Sequence, residues 1–440
     1  DYAGILSQRR CYMTPRNRHT YPAIVLLLVF LGPSLFVLIS SLGATGNKAA
    51  LLGQLAGLTA LSWLSLAILL PARLRSLERT MGQDRLVNFH RIMACLVFMS
   101  VVAHVVLVNV GGLLPLRADV PSWALVLGQL TALGILGGVI GAALQSSIFP
   151  DYNKWRYLHR SLALLVVTAT VHGLFLGTHL RFYPMNGVYL FLLVFALLLT
   201  AYRRFYIPQN LTSYEVAKVQ SAADKVLSIT LKPEKTAIEE PEPGQFAYLT
   251  MSFDGTSPEE HPFTISSHKD NELTFTVKQS GDFTSKIGSL KEDAKVLVEG
   301  PYGCFGHNLS EAKSFLFVAG GVGITPLFAM YNHLKANNDE RRGLFITAAR
   351  HRSDLIFGQE LHAPFYNWQI LTILSAPDEE WQGAQGHIDK AFLEENAKEL
   401  LKEAQVYVCG PDAMMASVTK ALQELSVSGV RIQSERFTFP

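Results

Sequence analysis

Charge is scarce in this 440-residue chain: Asp, Glu, Lys and Arg make up 17% of it, against 49% hydrophobic residues. Soluble domains ordinarily carry about 25% charged residues, so a large part of the chain does not face water. Acidic residues are rarest in the first half. From Asp1 to Phe205 there are 5 Asp/Glu against 17 Lys/Arg, a local charge of +12, while the rest holds 31 acidic and 21 basic residues, or −10. The overall +2 therefore joins a basic, apolar half to an acidic, ordinarily polar half. That excludes a single soluble globule, a disordered chain and a nucleic-acid binder acting through overall charge. Cysteine is rare as well. Cys11, Cys95, Cys304 and Cys409 share no metal-ligand spacing and suggest no disulfide framework, which suits reducing surroundings for the polar half. The sequence has no Asp-x-Asp-x-Asp-Gly loop, no internal repeat and no low-complexity tract, so an EF-hand switch is not expected.

What the first half does contain is six apolar runs, Tyr21–Leu42, Ala49–Leu70, Val87–Val110, Trp123–Leu144, Trp155–Leu176 and Met185–Tyr202. Each is close to the ~20 residues that cross a hydrocarbon core of about 30 Å. The first run is too long for the apolar part of a signal peptide and five more follow, so it is expected to be an anchor. One set of ends holds Arg9, Arg10, Arg16, Arg18, Arg73, Arg75, Arg79, Arg85, Lys154, Arg156, Arg203 and Arg204, with Arg91 and Arg160 just inside helices; the opposite ends hold Lys48, Arg117 and Arg181. Basic residues accumulate on the cytoplasmic side. The expectation is a multi-pass protein of the cell (inner) membrane with both termini in the cytoplasm.

Ionisable residues inside these runs are mostly histidines: His90 and His104 in the third, His159 and His172 in the fifth. Polar groups in lipid are costly and usually functional. At ~1.5 Å per residue, separations of 14 and 13 residues span about 21 and 20 Å. Both runs enter from the cytoplasmic side, so His90 is level with His159 and His104 with His172. A lone histidine could simply pack between helices. Two matched pairs at two depths match the needs of two bis-histidine haems. At ~100° per residue, 14 steps return within about 40° of the starting face but 13 steps miss it by about 140°, so the fifth helix must bend, tilt or use different rotamers. His179, beyond Gly177, is the alternative ligand to His172.

After the short linker Ile207–Asn210 the periodicity changes. Short β-rich runs at Lys225–Leu231, Phe246–Met251, Phe263–Ser267, Leu273–Lys278 and Lys295–Glu299 suggest a small antiparallel barrel. From Ser314 onwards, strands at Phe315–Val318, Gly343–Ala348, Gln369–Leu374 and Ala404–Cys409 alternate with helices, as in a doubly wound α/β domain. The turn Gly320-Gly321-Val-Gly323-Ile-Thr325-Pro326 has glycines where backbone approaches a pyrophosphate at a helix N-terminus, with Pro326 suited to a first helical position. Cys409-Gly410-Pro411 at the end of a later strand would face the same crevice. Either turn alone can be structural; together they favour a nicotinamide dinucleotide.

With these pieces in place, the chain resembles the NADPH oxidase and ferric reductase superfamily from about Tyr21 to Phe439, and within it the compact prokaryotic NADPH oxidases. The matching features are the histidine pairs, His261-Pro-Phe-Thr-Ile-Ser-Ser267, Gly281-Asp-Phe-Thr284, Glu299-Gly-Pro-Tyr-Gly303, Gly320–Pro326 and Cys409–Pro411, in that order. The resemblance implies an N-terminal cytoplasmic segment (1–20), a six-helix transmembrane haem-binding bundle (21–205), an antiparallel β-barrel FAD-binding domain (211–310) and an α/β doubly wound NAD(P)H-binding domain (311–440), ferredoxin reductase-like in its soluble part.

It also implies roles. His90, His104, His159 and His172 would ligate two b-type haems. His261, Pro262, Phe263, Thr264, Ile265, Ser266 and Ser267 would form the flavin segment, with Phe263 beside the isoalloxazine and Thr264 near its N5. Gly281 and Thr284 would lie against the FAD pyrophosphate. Gly320, Gly321, Gly323, Thr325, Pro326, Gly410 and Pro411 would hold the dinucleotide, and Cys409 would lie near the nicotinamide in a positional role. Phe437 would stack on the flavin and yield to nicotinamide, with Phe439 as its rival. Arg350, with Arg352 nearby, is where relatives hold a 2′-phosphate, which favours NADPH over NADH. The activity implied is transfer of electrons from NAD(P)H through FAD and haems to external oxygen, giving superoxide. A ferric-chelate reductase with the same electron path is the alternative, and a haem subunit serving a protein partner is a third reading. His179 and Arg181 in the last outer loop could attract an anion or supply a proton, or be ordinary loop residues. The expected surroundings are membrane lipid, with no nucleic acid and no obligatory protein partner.

Overall fold

The computed structural model describes residues 47–74, 81–111, 121–149, 152–176, 185–207, 211–253, 257–361 and 367–436, with scattered positions at 24–39 and at 77, 78 and 365. Asp1–Thr20, His179, Arg181, Phe437 and Phe439 lie outside the described residues. The chain divides into two compact units, Asp1–Leu77 with Arg85–Gln209, and Glu78–Asp84 with Asn210–Pro440.

The first unit is helical: α1 (Lys48–Leu69), α2 (Gln83–Val110), α3 (Ser122–Ala143), α4 (Tyr152–Ser161), α5 (Leu164–Leu176) and α6 (Met185–Ala201). Asn47 starts α1 by accepting bonds from the Ala49 and Ala50 amides at 3.1 and 3.3 Å. Among the described residues four helical stretches are long and apolar enough to cross a membrane: Lys48–Ala72, Arg85–Val110, Ser122–Ala143 and Lys154–Leu176. The expected count of six is not reached on these residues. The first apolar run lies mostly outside them, and α6 has only 17 residues before a π turn over Tyr202–Tyr206. In α1, 56% of the apolar stretch is buried, against 17%, 17% and 11% in the other three, so α1 is the inner helix. The others turn Met99, Leu133 and Leu164 outward, as helices facing lipid do.

The fifth run is not one continuous helix. Between α4 and α5, Leu162 and Ala163 form a turn in which the amides of residues 162, 163, 165 and 166 each bond to the carbonyl three residues back. Such i→i−3 bonds wind the chain at about 120° per residue rather than 100°. The overwinding acts in the direction needed to bring His172 round towards the face of His159.

In the second unit, β1 (Thr212–Ala223), β2 (Val226–Pro233), β3 (Phe246–Met251), β4 (Glu259–Lys269), β5 (Glu272–Lys278) and β6 (Lys295–Tyr302) close a barrel in the order β1-β2-β5-β4-β3-β6. Its centre is filled by Tyr214, Ile229, Leu231, Leu249 and Phe275. The rest is a sheet ordered β10-β9-β8-β7-β11-β12, made of β7 (Phe315–Gly320), β8 (Gly343–Ala349), β9 (Trp368–Leu374), β10 (Ala384–Gln385), β11 (Gln405–Cys409) and β12 (Ile432–Glu435). With it go α7 (Ile324–Ala336), α8 (Lys390–Ala397) and α9 (Asp412–Glu424). Successive residues of β7 feed opposite cores: Phe315, Phe317 and Ala319 one, Leu316 and Val318 the other. A strand buried on both faces belongs at the middle of a parallel, doubly wound sheet. The sequence reading omits β1, where only Tyr214 and Val216 point fully inward, and the short strands β10 and β12.

Candidate functional site

Within the helical unit the four histidines meet in two pairs. The His90 and His159 ring centroids are 5.9 Å apart with planes at 79°, and those of His104 and His172 are 6.2 Å apart at 87°. Three rings are fixed from behind. His90 Nδ1 donates to the Ala67 carbonyl at 2.8 Å, His104 Nδ1 to Gly53 at 2.8 Å, and His172 Nδ1 to Ala124 at 2.9 Å. Ala67 and Gly53 lie on α1, also 14 residues apart, so the antiparallel α1 offers α2 two carbonyls in matching register. With Nδ1 committed in this way, Nε2 is the nitrogen left for a metal. The His159 ring is instead stacked on Trp155.

Space for the rings comes from glycine. A Cβ on Gly57 would lie 2.7 Å from His104 Nδ1, and one on Gly128 would overlap the His172 ring. The sequence reading missed Gly53, Gly57, Ala67, Ala124 and Gly128. A backbone carbonyl has no residue signature, but a glycine in a lipid-spanning helix is a signal of close packing.

The flavin-segment residues form β4, paired with β3 so that Thr264 faces Phe246, Phe263 faces Ala247 and Pro262 faces Tyr248. Phe246 also faces Tyr302 across β6, so β3 joins the His261–Ser267 and Glu299–Gly303 segments. Tyr302 donates to buried Glu299 at 2.6 Å. Ile265 points into the barrel core, and a bulge between Ile265 and Ser267 re-aims the strand. There, Ser266 donates to the Thr274 carbonyl at 2.9 Å, and Ser267 is exposed. His261 stacks on Phe283 at 3.9 Å, which brings the His261 and Gly281–Thr284 motifs together. Thr284 Oγ1 accepts from the Gly281 amide at 3.0 Å and the Ser280 amide at 2.9 Å. These two residues thus shape their own turn.

The two glycine turns flank the point where the sheet changes direction, β7 leading outward to β8 and β9 while β11 lies on the other side. Ligands of open α/β sheets bind at such a switch point. The turns also pack on each other. A Cβ on Gly323 would meet the Gly410 amide at 2.6 Å, and one on Gly320 would lie 2.9 Å from Pro411 Cδ. Gly320, Gly323 and Gly410 therefore serve close backbone approach, whereas Gly321, with φ +51 and open space at its Cα, borders a shallow cleft with Ile324, Thr347, Ala349 and Asp354. Thr325 is buried and closes its own turn, donating to the Val322 carbonyl at 2.9 Å. Pro326 stands third in α7 rather than first, still among the positions whose amide has no helical partner. Arg350 and Arg352 are exposed just beyond β8. Cys409 is wholly buried, and burial with Glu435 nearby pushes its thiol well above the ordinary range. That thiol stays protonated at neutral pH, which suits a positional role and not a nucleophile.

Known proteins bear on each part in turn. Residues 56–170 match the family described as ferric reductase like transmembrane component, residues 211–305 an FAD-binding domain and residues 317–420 an oxidoreductase NAD-binding domain. The stachydrine N-demethylase reductase subunit Stc4 of Rhizobium meliloti is 29% identical over 226 residues, 49% of this chain and 64% of that protein. The glycine betaine monooxygenase reductase subunit of Pseudomonas aeruginosa is 31% identical over 205 residues, 44% of this chain and 56% of that protein. The chain thus spans less than two thirds of these curated relatives. A flavohemoglobin from Malassezia yamatoensis superposes with a TM-score of 0.51 at 17% identity, over 92% of this chain and 99% of that one, a likeness of fold alone. The ferric reductase-like transmembrane part followed by FAD-binding and NAD-binding domains is the architecture of the NADPH oxidase and ferric reductase superfamily, to which this chain belongs.

Proposed function

We propose that this chain is a membrane flavin-dependent NAD(P)H oxidoreductase that carries electrons across the bilayer to oxygen on the far side. The observation that carries the reading is the pair of histidine pairs in the helical unit. Two imidazoles binding one metal from opposite sides, at about 2 Å per metal–nitrogen bond, set their ring centroids about 6 Å apart. Both pairs have that separation. Among the described residues no group of three or more His, Cys, Asp or Glu could hold a metal ion. Each pair offers two imidazole donors, which fits a metal whose other ligands come from a macrocycle. His90 and His159 would hold one haem, and His104 and His172 the second.

When bound, FAD accepts a hydride and releases electrons singly, and bis-histidine haems pass single electrons. The chain's own residues would place these groups. β4 from His261 to Ser267 would line the flavin, Thr264 would face its reacting edge, and Gly321 with Arg350 would receive the nicotinamide dinucleotide, in the NADPH form. Phe437 would cover the flavin until nicotinamide arrives. His90 with His159 and His104 with His172 would each supply both protein ligands of one haem, whose chemistry when bound would be single-electron transfer. The balance is NAD(P)H with two O2 giving NAD(P)+, a proton and two superoxide ions. The excess of basic residues at one set of helix ends supports a multi-pass inner-membrane orientation with those ends in the cytoplasm.

The test is NADPH consumption by purified protein with and without oxygen, scoring superoxide as dismutase-sensitive cytochrome c reduction. We expect oxygen-dependent consumption, a bis-histidine haem spectrum with two haems per chain, and loss of one haem in His104→Leu. Wild-type protein without haem would overturn the reading. The match to a ferric reductase like component favours a second reading, a ferric-chelate reductase with the same path; activity with ferric chelates and none with oxygen would select it.

A further inference from the structure

We infer that Trp155 is the positioning residue for His159, doing by stacking what a backbone carbonyl does for the other three histidines. The inference rests on the haem reading above and adds a residue to it. Metal-bound histidines nearly always donate their second ring N–H to an oxygen acceptor, which fixes the ring plane. Ala67, Gly53 and Ala124 do this for His90, His104 and His172. His159 departs from the pattern. Its Nδ1 is buried and, among the described residues, has no hydrogen-bond partner.

What holds the ring is an aromatic face. The Trp155 indole lies 4.9 Å from the His159 ring, with the planes 19° apart. The two residues stand four apart on α4, so they share one helix face one turn apart. His159 is also two residues from the end of α4, where the carbonyls of His159 and Arg160 accept the turn bonds of Leu162 and Ala163. Its backbone is thus held by the turn and its ring plane by the indole. Stacking fixes the plane but leaves the ring free of the electronic push a carbonyl gives. The inner pair therefore combines one carbonyl-fixed and one indole-fixed ligand, while both ligands of the outer pair are carbonyl-fixed.

The relative orientation of two axial imidazole planes governs the anisotropy of a low-spin ferric haem signal, so the role has a direct spectroscopic readout. The experiment compares full-length wild type, Trp155→Phe, Trp155→Leu and Trp155→Met by low-temperature EPR, redox titration and haem content. The Leu and Met variants should shift or broaden one low-spin signal, move one midpoint step and leave the other haem as in wild type. Trp155→Phe, which keeps a planar face, should restore both. Repeating the Met change with His104→Leu, which keeps only the inner pair, should show that the affected signal is the inner one. Trp155→Met fills volume without a ring, so it carries the test if the Leu variant does not accumulate. Unchanged spectra in Trp155→Met, or equal effects on both haems, or a Phe variant as altered as the Met variant, would overturn the inference. Wild type lacking any bis-histidine spectrum would instead defeat the haem reading beneath it.

Discussion

At Gly128 a single added methyl group would run into the His172 imidazole, and at Gly57 one would press on His104 at 2.7 Å. Neither glycine carries chemistry, yet each sets whether a histidine can turn towards its partner. Overpacking of this kind costs about 1–3 kcal/mol. Gly128→Ala should lower occupancy of the outer haem while the inner one keeps its spectrum, measured as haem per chain; an unchanged two-haem protein would show that the helices shift to absorb the methyl. Cys409 makes the opposite case of a reactive residue type held inert. Its burial and raised thiol predict that it resists iodoacetamide at neutral pH in the folded protein and reacts on unfolding. Cys409→Ala should therefore keep hydride transfer within several-fold of wild type, whereas a nucleophile would lose it almost entirely.

Among elements, the turn at Leu162–Ala163 links sequence arithmetic to structure most directly. Thirteen residues on a regular helix cannot put His159 and His172 on one face, and the i→i−3 bonds of this turn supply extra winding. Nearby, Thr131 on α3 donates to Thr168 on α5 at 2.8 Å, and Gly134 and Gly138 on α3 leave room for Leu165 and Leu162. In the nucleotide-binding part the connection before β8 is fixed by Arg341. It bonds Asp339, donates to the Leu309 and Ala312 carbonyls at 2.9 and 2.6 Å, and lies 4.8 Å from the Phe315 ring. The guanidinium holds the Asp339 carboxyl below the usual carboxylate range. The pair's contribution is complete above that range and is lost as pH falls through the depressed value, when the folded state must take up the proton. Asp339→Asn should cost about 1–3 kcal/mol at neutral pH. In thermal unfolding the gap from wild type should close on acidification; a gap independent of pH would mean the carboxylate charge is not what stabilises this turn.

For the whole molecule, the proposed orientation predicts which loops reagents reach from each side. Cysteines introduced at Ser122 and at Asn153 flank α3 and α4, and an impermeant thiol reagent on intact cells should label the first and not the second. The reverse labelling would invert the electron path. The order of parts was legible in sequence because apolar runs, β-rich runs and strand–turn–helix runs differ in length and period. Barrel closure by β1 and the sheet edge at β12 were less legible: both strands carry little hydrophobic alternation and are held by pairing, β1 with β6 and β12 with β11.

Residue order alone specifies the apolar and polar halves of the chain, the two depths of the histidines and the order of the nucleotide segments. These follow from hydropathy, from the fixed rise of a helix and from local turn chemistry, all properties of neighbouring residues. It took the folded chain to bring His90 to His159 and His104 to His172, to lend α1 carbonyls to α2, and to set Gly320, Gly323 and Gly410 against each other's backbone. Folding also set His159 against Trp155, with no acceptor for its Nδ1 among the described residues. A carbonyl acceptor, a ring separation or a missing Cβ acts through space between distant parts of the chain. A carbonyl or a ring separation leaves no mark in the residue type that provides it, and a glycine marks close packing without showing what packs there.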